Sequence, residues 1–509
     1  MSCDGGRMEN AKARHSAKQT PPSPAYHRCM KTFMFFRVGL LCVALLMPRA
    51  WGQGLPELGD SSSTVFSPLF ERRIGEQAMR DIRMYEPGFV DDPELTAYIS
   101  RLGARLVSVS PDARQDFEFF FMRDPNINAF AMPGGFVGVN TGLVLASQTE
   151  SEVASVLGHE VAHVTQRHIA RNFGRMDQMS VVNIAAMVVA VLAAKGNSQV
   201  SQAAMAAASA GSLQARINYT REFEREADRV GFTLLESAGF DVTAMPVFFE
   251  RLQKAGRVYE TGAPAYLRTH PLTIERISDM QNRIKDSHYR QTQDGPDFHF
   301  VKARLRAELG RPQEAVAAFE EQLSERRFTS ESAAHYGLAF ALNRAKQFVR
   351  ADSEINWVRK NTAFNPMVET LAARNKLEAG AVAEATEILR AASARLPAYR
   401  PLQYAMVDLL QASGQHAAAV NLLLEQVKNH PREIKLHGLL SKSYAALGKR
   451  LLSHQSLAET YYLQGALVPA QEQLQLALKA GDGDFYAMSR IDARLREVRQ
   501  RMAEEKRQR

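Results

Sequence analysis

The sequence predicts a mainly α-helical protein with a small β-sheet, followed by an α-solenoid. Three observations predict this fold class: a His-Glu-Val-Ala-His motif in a segment of helical periodicity, two short β-like runs before it, and glycines that recur every 34 residues in the C-terminal half. The length of 509 residues suffices for two to three domains. We expect an N-terminal extension and signal peptide at 1–52, a first domain at 53–285, a linker at 286–297 and a repeat domain at 298–509.

The first 52 residues have the pattern of a secretion signal. Met30-Lys31 offers a second start, residues 33–47 are mostly apolar, and Ala50-Trp51-Gly52 supplies small residues before a cleavage site. Such a segment is too short for a stable membrane span, so we expect export and removal. This leader contains all three cysteines and most of the net charge of +8, and the mature chain carries only about +2. The basic composition therefore does not indicate nucleic-acid binding.

Residues 68–110 are expected to form two helices, because Pro87-Gly88 and Asp91-Asp92 interrupt the helical pattern. Two β-like runs follow, at 117–121 and 136–139, with a Pro-Gly-Gly turn between them. The small sheet has two interpretations. Its edge strand can pair with an extended substrate backbone, or the strands form a plain structural hairpin.

Residues 150–171 are predicted to form one helix that carries a pair of metal ligands. Thr149 and Glu152 have the spacing of a capping box at its start. His159 and His163 are four residues apart, so both rings can reach one metal ion from one helix face. Glu160 then lies beside the metal, where it can take a proton from an attacking water. The alternative is two partly buried core histidines, and His168 is expected at the surface.

A third ligand must come from another helix, and residues 221–228 carry four candidate carboxylates. Glu224 and Asp228 are four apart and share one flank of this helix, whereas Glu222 and Glu226 share another. Spacing alone does not choose between the two pairs.

Four ordered motifs resemble those of the M48 peptidases. They are His159–His163, the Glu224–Asp228 segment, the strand-turn segment 128–135 and the His-Pro segment 269–277. The resemblance covers about residues 55–284 and implies a zincin-type metalloprotease domain.

The resemblance also implies a role for each site residue. His159, His163 and Glu224 would hold one Zn²⁺ per chain, and Asp228 would support a ligand histidine. Glu160 would be the catalytic base. His270 or Arg276 would stabilise the oxyanion. His270 has a second expected role, in which it occupies the open zinc position and restrains the resting enzyme.

Residues 180–211 form an apolar segment with a break at Lys195-Gly196. Each half is shorter than the roughly 20 residues that a membrane span needs. Three interpretations compete: a buried helical hairpin, a lid over the site, and an interfacial helix. We favour a lid or hairpin that also has membrane affinity.

The C-terminal half has the pattern of tetratricopeptide repeats. Gly310, Gly380, Gly414 and Gly448 stand 70, 34 and 34 residues apart, and an alanine follows five residues after each of the first three. Gly465 is likewise followed by Ala470, whereas the repeat near 335–365 is degenerate. Glycine ends the first helix of a pair, and alanine lets the two helices approach closely. Such an array offers a concave surface for protein partners.

An M48 domain joined to these repeats resembles periplasmic members of the family in Gram-negative bacteria. That resemblance implies an endopeptidase that degrades misfolded or stalled outer-membrane proteins and assists their assembly. The repeats would dock the outer-membrane assembly machinery, with peripheral membrane contact and no nucleic acid. The competing hypothesis is a chaperone or assembly scaffold whose peptidase is mostly latent.

Overall fold

The computed structural model describes residues 67–112, 116–173, 221–258, 265–287 and 292–508. It is mainly helical with one three-stranded sheet and a C-terminal helical array, which confirms the predicted fold class. The expected signal peptide at 1–52 and the apolar segment 180–211 lie outside the described residues. Within the described ranges, no helix is both long enough and apolar enough to cross a membrane.

Two helices open the described chain, as the sequence predicts: α1 (Pro68–Tyr85) and α2 (Pro93–Val107). Ser67 caps α1, because its Oγ accepts a hydrogen bond from the Phe70 N–H at 3.2 Å. Asp92 caps α2 and accepts from two N–H groups in the first turn, each at 3.0 Å. A proline begins each helix, at a position where its missing N–H has no intrahelical partner to lose.

The sheet consists of β1 (Glu118–Met122), β2 (Ala129–Met132) and β3 (Phe136–Asn140), in the order β1-β3-β2. The two β-like runs of the sequence are therefore parallel neighbours, and the hairpin joins β2 to β3 instead. Gly134 and Gly135 make its turn with φ values of 79° and 91°, which other residues rarely adopt. This order leaves β2 at the sheet edge that packs beside the helix with His159 and His163.

That helix is α4 (Glu150–Thr165), which follows the short α3 (Thr141–Ala146). Thr149 caps α4 by accepting from the Glu152 N–H at 3.3 Å, as predicted. The prediction of one helix over 150–171 is wrong at its end. Arg167 has a left-handed φ of 53°, which stops α4 and starts the separate α5 (His168–Phe173).

Helix α6 (Arg221–Ser237), which carries the four candidate carboxylates, crosses α4 at two glycines. A Cβ on Gly231 would lie 2.9 Å from the backbone nitrogen of His159, and one on Gly158 would lie 3.1 Å from the Gly231 carbonyl oxygen. Only glycine allows backbones so close. The close crossing brings the carboxylates of α6 to the histidines of α4. Three helices complete this part of the chain: α7 (Ala244–Val258), α8 (Ala265–Thr269) and α9 (Ile274–Asp286).

Six helix pairs form the C-terminal array. Their bounds are α10 (Pro296–Ala307), α11 (Pro312–Ser324), α12 (Glu331–Arg344), α13 (Phe348–Asn361), α14 (Pro366–Glu378), α15 (Val382–Arg395), α16 (Arg400–Ala412), α17 (His416–Asn429), α18 (Ile434–Ala446), α19 (Arg450–Leu463), α20 (Leu467–Leu478) and α21 (Phe485–Gln508). The four glycines of the repeat pattern each turn the chain within a pair, with φ between 58° and 87°. Gly465 also has a positive φ, but it lies between two pairs.

The repeat that looks degenerate in sequence is a regular helix pair in the structure. Lys346, which stands 34 residues before Gly380, takes the turn position with a φ of 59°. Ala351 follows five residues later and is fully buried, as Ala385 and Ala419 are. The period is therefore intact, although the usual glycine is missing.

The repeats and the first domain share one continuous hydrophobic core, which runs from Val90 to Ala372. At their junction Arg304 is buried and paired with the carboxylates of Asp92 and Glu94. The Gly295 N–H donates to Glu150 Oε2 at 2.9 Å, so the end of the linker is bonded to the start of α4. The boundaries at 285 and 297 stay predictions.

Candidate metal centre

Four buried side chains converge near the middle of the first domain. His159 and His163 come from α4, Glu224 comes from α6, and His270 directly follows α8. One nitrogen or oxygen from each lies within 4.8 Å of those of the other three. Within the described residues, this is the cluster whose donor atoms are close enough to hold a metal ion.

The spacing of the donor atoms fits a tetrahedral zinc ion. His159 Nε2 lies 3.4 Å from Glu224 Oε2, and His163 Nε2 lies 3.4 Å from Glu224 Oε1. The two Nε2 atoms lie 2.9 Å from each other. Two ligands on one tetrahedral zinc are roughly 3.3 Å apart at normal bond lengths. Imidazole and carboxylate are also the donors that zinc accepts in catalytic sites. The residues present therefore fit the metal that the sequence motifs imply.

The structure also distinguishes the two carboxylate pairs that spacing leaves open. Glu224 and Asp228 are buried and face the histidines, whereas Glu222 is exposed and Glu226 is half-buried against α5. These positions support Glu224 as the third ligand.

Asp228 and Arg276 contact the candidate ligands His159 and Glu224. Asp228 Oδ1 lies 3.0 Å from His159 Nδ1, the ring nitrogen that faces away from the cluster. Arg276 Nε and Nη2 donate to the same carboxylate at 2.6 and 2.8 Å, and its Nη1 lies 2.9 Å from Glu224 Oε2. Thr273 caps α9 and so places Arg276 in its first turn. All three guanidinium nitrogens are thus committed to protein partners. This supports a positioning role for Arg276 rather than contact with an oxyanion.

His270 lies where a fourth ligand would be. Its Nδ1 is 3.0 Å from Glu224 Oε1 and 3.3 Å from His159 Nε2. Its Nε2 points to the opposite side, 3.4 Å from Glu160 Oε1. The ring of Tyr266 stacks on it with centroids 4.8 Å apart. His270 therefore touches both the ligand set and the expected base.

Glu160 has the burial expected of a catalytic base. Its side chain is inaccessible to solvent, and its Oε1 lies 3.4 Å from His270 Nε2. Burial raises the pKa of Glu160 above its usual range, although the neighbouring His270 and His159 oppose the shift. A raised pKa makes the ionised carboxylate a stronger proton acceptor at neutral pH.

The two α4 histidines differ electrostatically. Burial lowers the pKa of His163 to about 3. Burial also acts to lower the pKa of His159, but hydrogen bonds to Asp228 and Glu224 outweigh it and raise this pKa to about 9. Burial likewise opposes ionisation of Glu224, but three histidines hold its pKa well below the usual range. The Glu224 carboxylate is therefore ionised, and His163 is already in the neutral form that a metal ligand requires.

The expectation that His168 is a surface residue is wrong. Its side chain is fully buried, and its Nδ1 lies 2.9 Å from Nδ1 of His163. On a continuous helix it would point away from the metal-binding face. The turn at Arg167 brings it back against His163 instead. The sequence contains no turn glycine or proline at this point, so helical periodicity could not reveal the contact.

Comparisons with known proteins agree with this site. Residues 93–284 match the Peptidase family M48, and residues 376–443 match a tetratricopeptide repeat family. The β-barrel assembly-enhancing protease of Escherichia coli is 32% identical over 449 residues, which cover 88% of this chain and 91% of that protein. A Vibrio cholerae protein provisionally given the same name is 38% identical over 342 residues, covering 66% and 70%. The mitochondrial metalloendopeptidase OMA1 of Schizosaccharomyces pombe is 31% identical over 230 residues, covering 44% and 64%.

The matched region of the first family contains α2, the sheet and all four clustered side chains. The likeness to the Escherichia coli protein extends through most of the repeats as well. This chain is therefore a metalloprotease that belongs to peptidase family M48 and carries C-terminal tetratricopeptide repeats.

Proposed function

We propose that this protein is a periplasmic, zinc-dependent endopeptidase that degrades misfolded or stalled outer-membrane proteins and assists their assembly. The observation that carries the proposal is the buried cluster of His159, His163 and Glu224 with Glu160 beside it. The name of the bacterial relatives supports outer-membrane β-barrel proteins as clients and their assembly machinery as a partner. The expected signal peptide supports the compartment, and the helical array supports docking of partners on the repeats.

In the proposed reaction each residue of the site has a role. A bound Zn²⁺ would lower the pKa of a water molecule and polarise the scissile carbonyl. Glu160 takes the proton from the attacking water and delivers it to the leaving amine. Asp228 and Arg276 fix His159 and Glu224, so that little reorganisation is needed during the reaction. The edge strand β2 packs beside α4 and can hold an extended substrate by backbone hydrogen bonds.

A second candidate function is an assembly scaffold with a mostly latent peptidase. The position of His270 favours this candidate, because its Nδ1 lies within 3.3 Å of two other donor atoms. A side chain in this position would exclude the attacking water until it moves. The two candidates differ in resting activity, not in the metal or the base.

The assignment of the third ligand predicts a selective loss of metal. Glu224→Ala is expected to weaken zinc binding by more than about 100-fold. Loss of a residue that hydrogen-bonds to a metal ligand costs roughly 10–100-fold in affinity, and loss of the ligand itself should cost more. The exposed Glu222→Ala on the same helix is the matched control and should keep zinc. Zinc is measured by elemental analysis after dialysis. Equal zinc in both variants would place the third ligand elsewhere.

The proposed client class is tested by presenting one β-barrel protein in two states. We expect the urea-denatured barrel, diluted into buffer, to be cut into fragments, and the same barrel folded in detergent to stay intact. The reason is that an extended backbone is needed to pair with β2. Gel electrophoresis over time measures both, with a chelator-treated enzyme as the metal-free control. Cleavage of the folded barrel, or cleavage that survives metal removal, would contradict the proposal.

A further inference from the structure

The two α4 histidines are supported by different partners. The outward ring nitrogen of His159 faces a carboxylate, Asp228 Oδ1, at 3.0 Å. The corresponding nitrogen of His163 faces another imidazole, His168 Nδ1, at 2.9 Å. A ligand histidine usually donates this N–H to a carboxylate, a backbone carbonyl or a water. His163 thus has an unusual partner, which calls for a physical explanation.

The contacts around His168 fix which nitrogens carry protons. If His163 binds metal through Nε2, its proton is on Nδ1, and His168 Nδ1 must accept it. The proton of His168 is then on Nε2, which faces Glu226 Oε2 at 3.2 Å. Arg171 Nη1 donates to the same oxygen of Glu226 at 2.9 Å. Each donor in this series of hydrogen bonds therefore faces an acceptor: His163 donates to His168, and His168 donates to Glu226.

The ring of His168 is also held in place from its face. It stacks on Phe223 with centroids 4.7 Å apart and an interplanar angle of 13°. The Arg171 guanidinium also lies over the Phe223 ring, 4.7 Å from its centroid. The left-handed turn at Arg167 sets the start of α5, and so the position of His168 relative to α4. The Phe223 ring, the turn at Arg167 and the Glu226 carboxylate together leave the His168 side chain little freedom to reorient.

From this geometry we propose that His168 is the positioning residue for the metal ligand His163. Its Nδ1 accepts the Nδ1–H of His163, and its Nε2–H is held by Glu226, which Arg171 fixes in turn. The inference rests on the proposed zinc site. It adds a function for α5, which orients one ligand of α4 by folding back on it.

Two near-isosteric substitutions separate the two contacts of His168. The Oδ1 atom of asparagine can occupy the place of Nδ1 and accept from His163, but asparagine cannot reach Glu226. The terminal amide of glutamine can occupy the place of Nε2 and donate to Glu226, but it removes the acceptor that His168 Nδ1 offers to His163 Nδ1. A positioning role through Nδ1 therefore predicts that His168→Asn keeps a higher zinc affinity than His168→Gln. A merely structural role predicts no such order.

The test measures zinc affinity by competition with a chromophoric chelator, and the visible spectrum of the Co²⁺-substituted protein. We expect His168→Gln and His168→Phe to bind zinc roughly 10–100-fold more weakly, which is the usual effect of losing a hydrogen-bond partner of a metal ligand. Both should also show an altered Co²⁺ spectrum. His168→Asn should stay within about threefold of the wild type, well inside the roughly 10–100-fold loss expected of the other two. Equal affinity in all variants, or equal loss in Asn and Gln, overturns the proposal.

Two further measurements keep the result unambiguous. Glu224→Ala in the same assay tests the zinc site itself, so a failure of His168 alone leaves the proposed function standing. Should a His168 variant fail to fold, ¹⁵N spectra of wild-type zinc protein labelled at histidine decide the question. The proposal requires the proton of His168 on Nε2 and that of His163 on Nδ1. The opposite tautomer of His168 overturns it.

Discussion

Replacing Glu160 by Gln is expected to abolish proteolysis while zinc stays bound. The carboxylate is buried beside the ligand cluster, yet it is not one of the clustered donors. Glutamine keeps its size but cannot accept the proton of the attacking water. General acid–base groups contribute roughly 10²–10⁴-fold in rate, so cleavage should fall by at least about 10²-fold. The measurement is digestion of an unfolded protein such as casein, with zinc determined on the same preparation.

The matched control is Glu236→Gln, which makes the same chemical change at an exposed position on α6. It should cleave at the wild-type rate. If Glu160→Gln also digests casein at that rate, another residue is the base. If it loses zinc as well as activity, Glu160 acts through the metal site and its assignment as base loses support.

The repeats illustrate which features can be predicted from sequence. Helix pairs that contact mainly their neighbours need a small residue where helices cross and a left-handed residue where they turn. Both requirements recur at a fixed period, so Gly380, Gly414 and Gly448 reveal the array directly. The same pattern fails at Lys346, because a non-glycine residue can adopt the turn conformation at a modest cost. The turn at Lys346 therefore cannot be predicted from the residue type and is seen only in the structure.

The candidate site was partly predictable for the same physical reason. His159 and His163 are related by the geometry of one helix, which a sequence displays. The choice of Glu224 over Glu222 depends on how α6 crosses α4, and the crossing depends on the contact between Gly158 and Gly231. Helical spacing carries no information about that contact, so only the resemblance to M48 peptidases indicated Glu224. His168 was missed because a single backbone angle at Arg167 determines its direction.

His270 can act on the resting enzyme in two opposite ways. As a restraint, it would occupy the position that the attacking water needs. As an oxyanion stabiliser, it would donate to the substrate during the reaction. The structure places its Nδ1 toward Glu224 and His159 and its Nε2 toward Glu160. Both nitrogens are thus directed at site residues, and the ring must move before it can meet a substrate. This geometry favours the restraint.

We therefore expect His270→Ala to raise the basal cleavage of unfolded substrate, and of the enzyme itself. A minor conformation is often populated at roughly 0.1–10%, so if the released, reaction-competent state is that minor one, removing the restraint should raise the rate by about tenfold or more. Zinc should stay bound by the three remaining ligands. The opposite role predicts the opposite sign, since losing an oxyanion donor costs about 10²–10³-fold in rate.

The assay compares three preparations at neutral pH: wild type, His270→Ala, and the double variant with Glu160→Gln. The double variant should be inactive, because the released site still needs its base. His430→Ala, an exposed histidine in the repeats, controls for loss of an imidazole and should match the wild type. If both rates fall in His270→Ala while zinc remains, the restraint is excluded and His270 acts on the substrate. A rise that persists in the double variant would come from a contaminating protease, because no activity of this enzyme should survive loss of the Glu160 carboxylate.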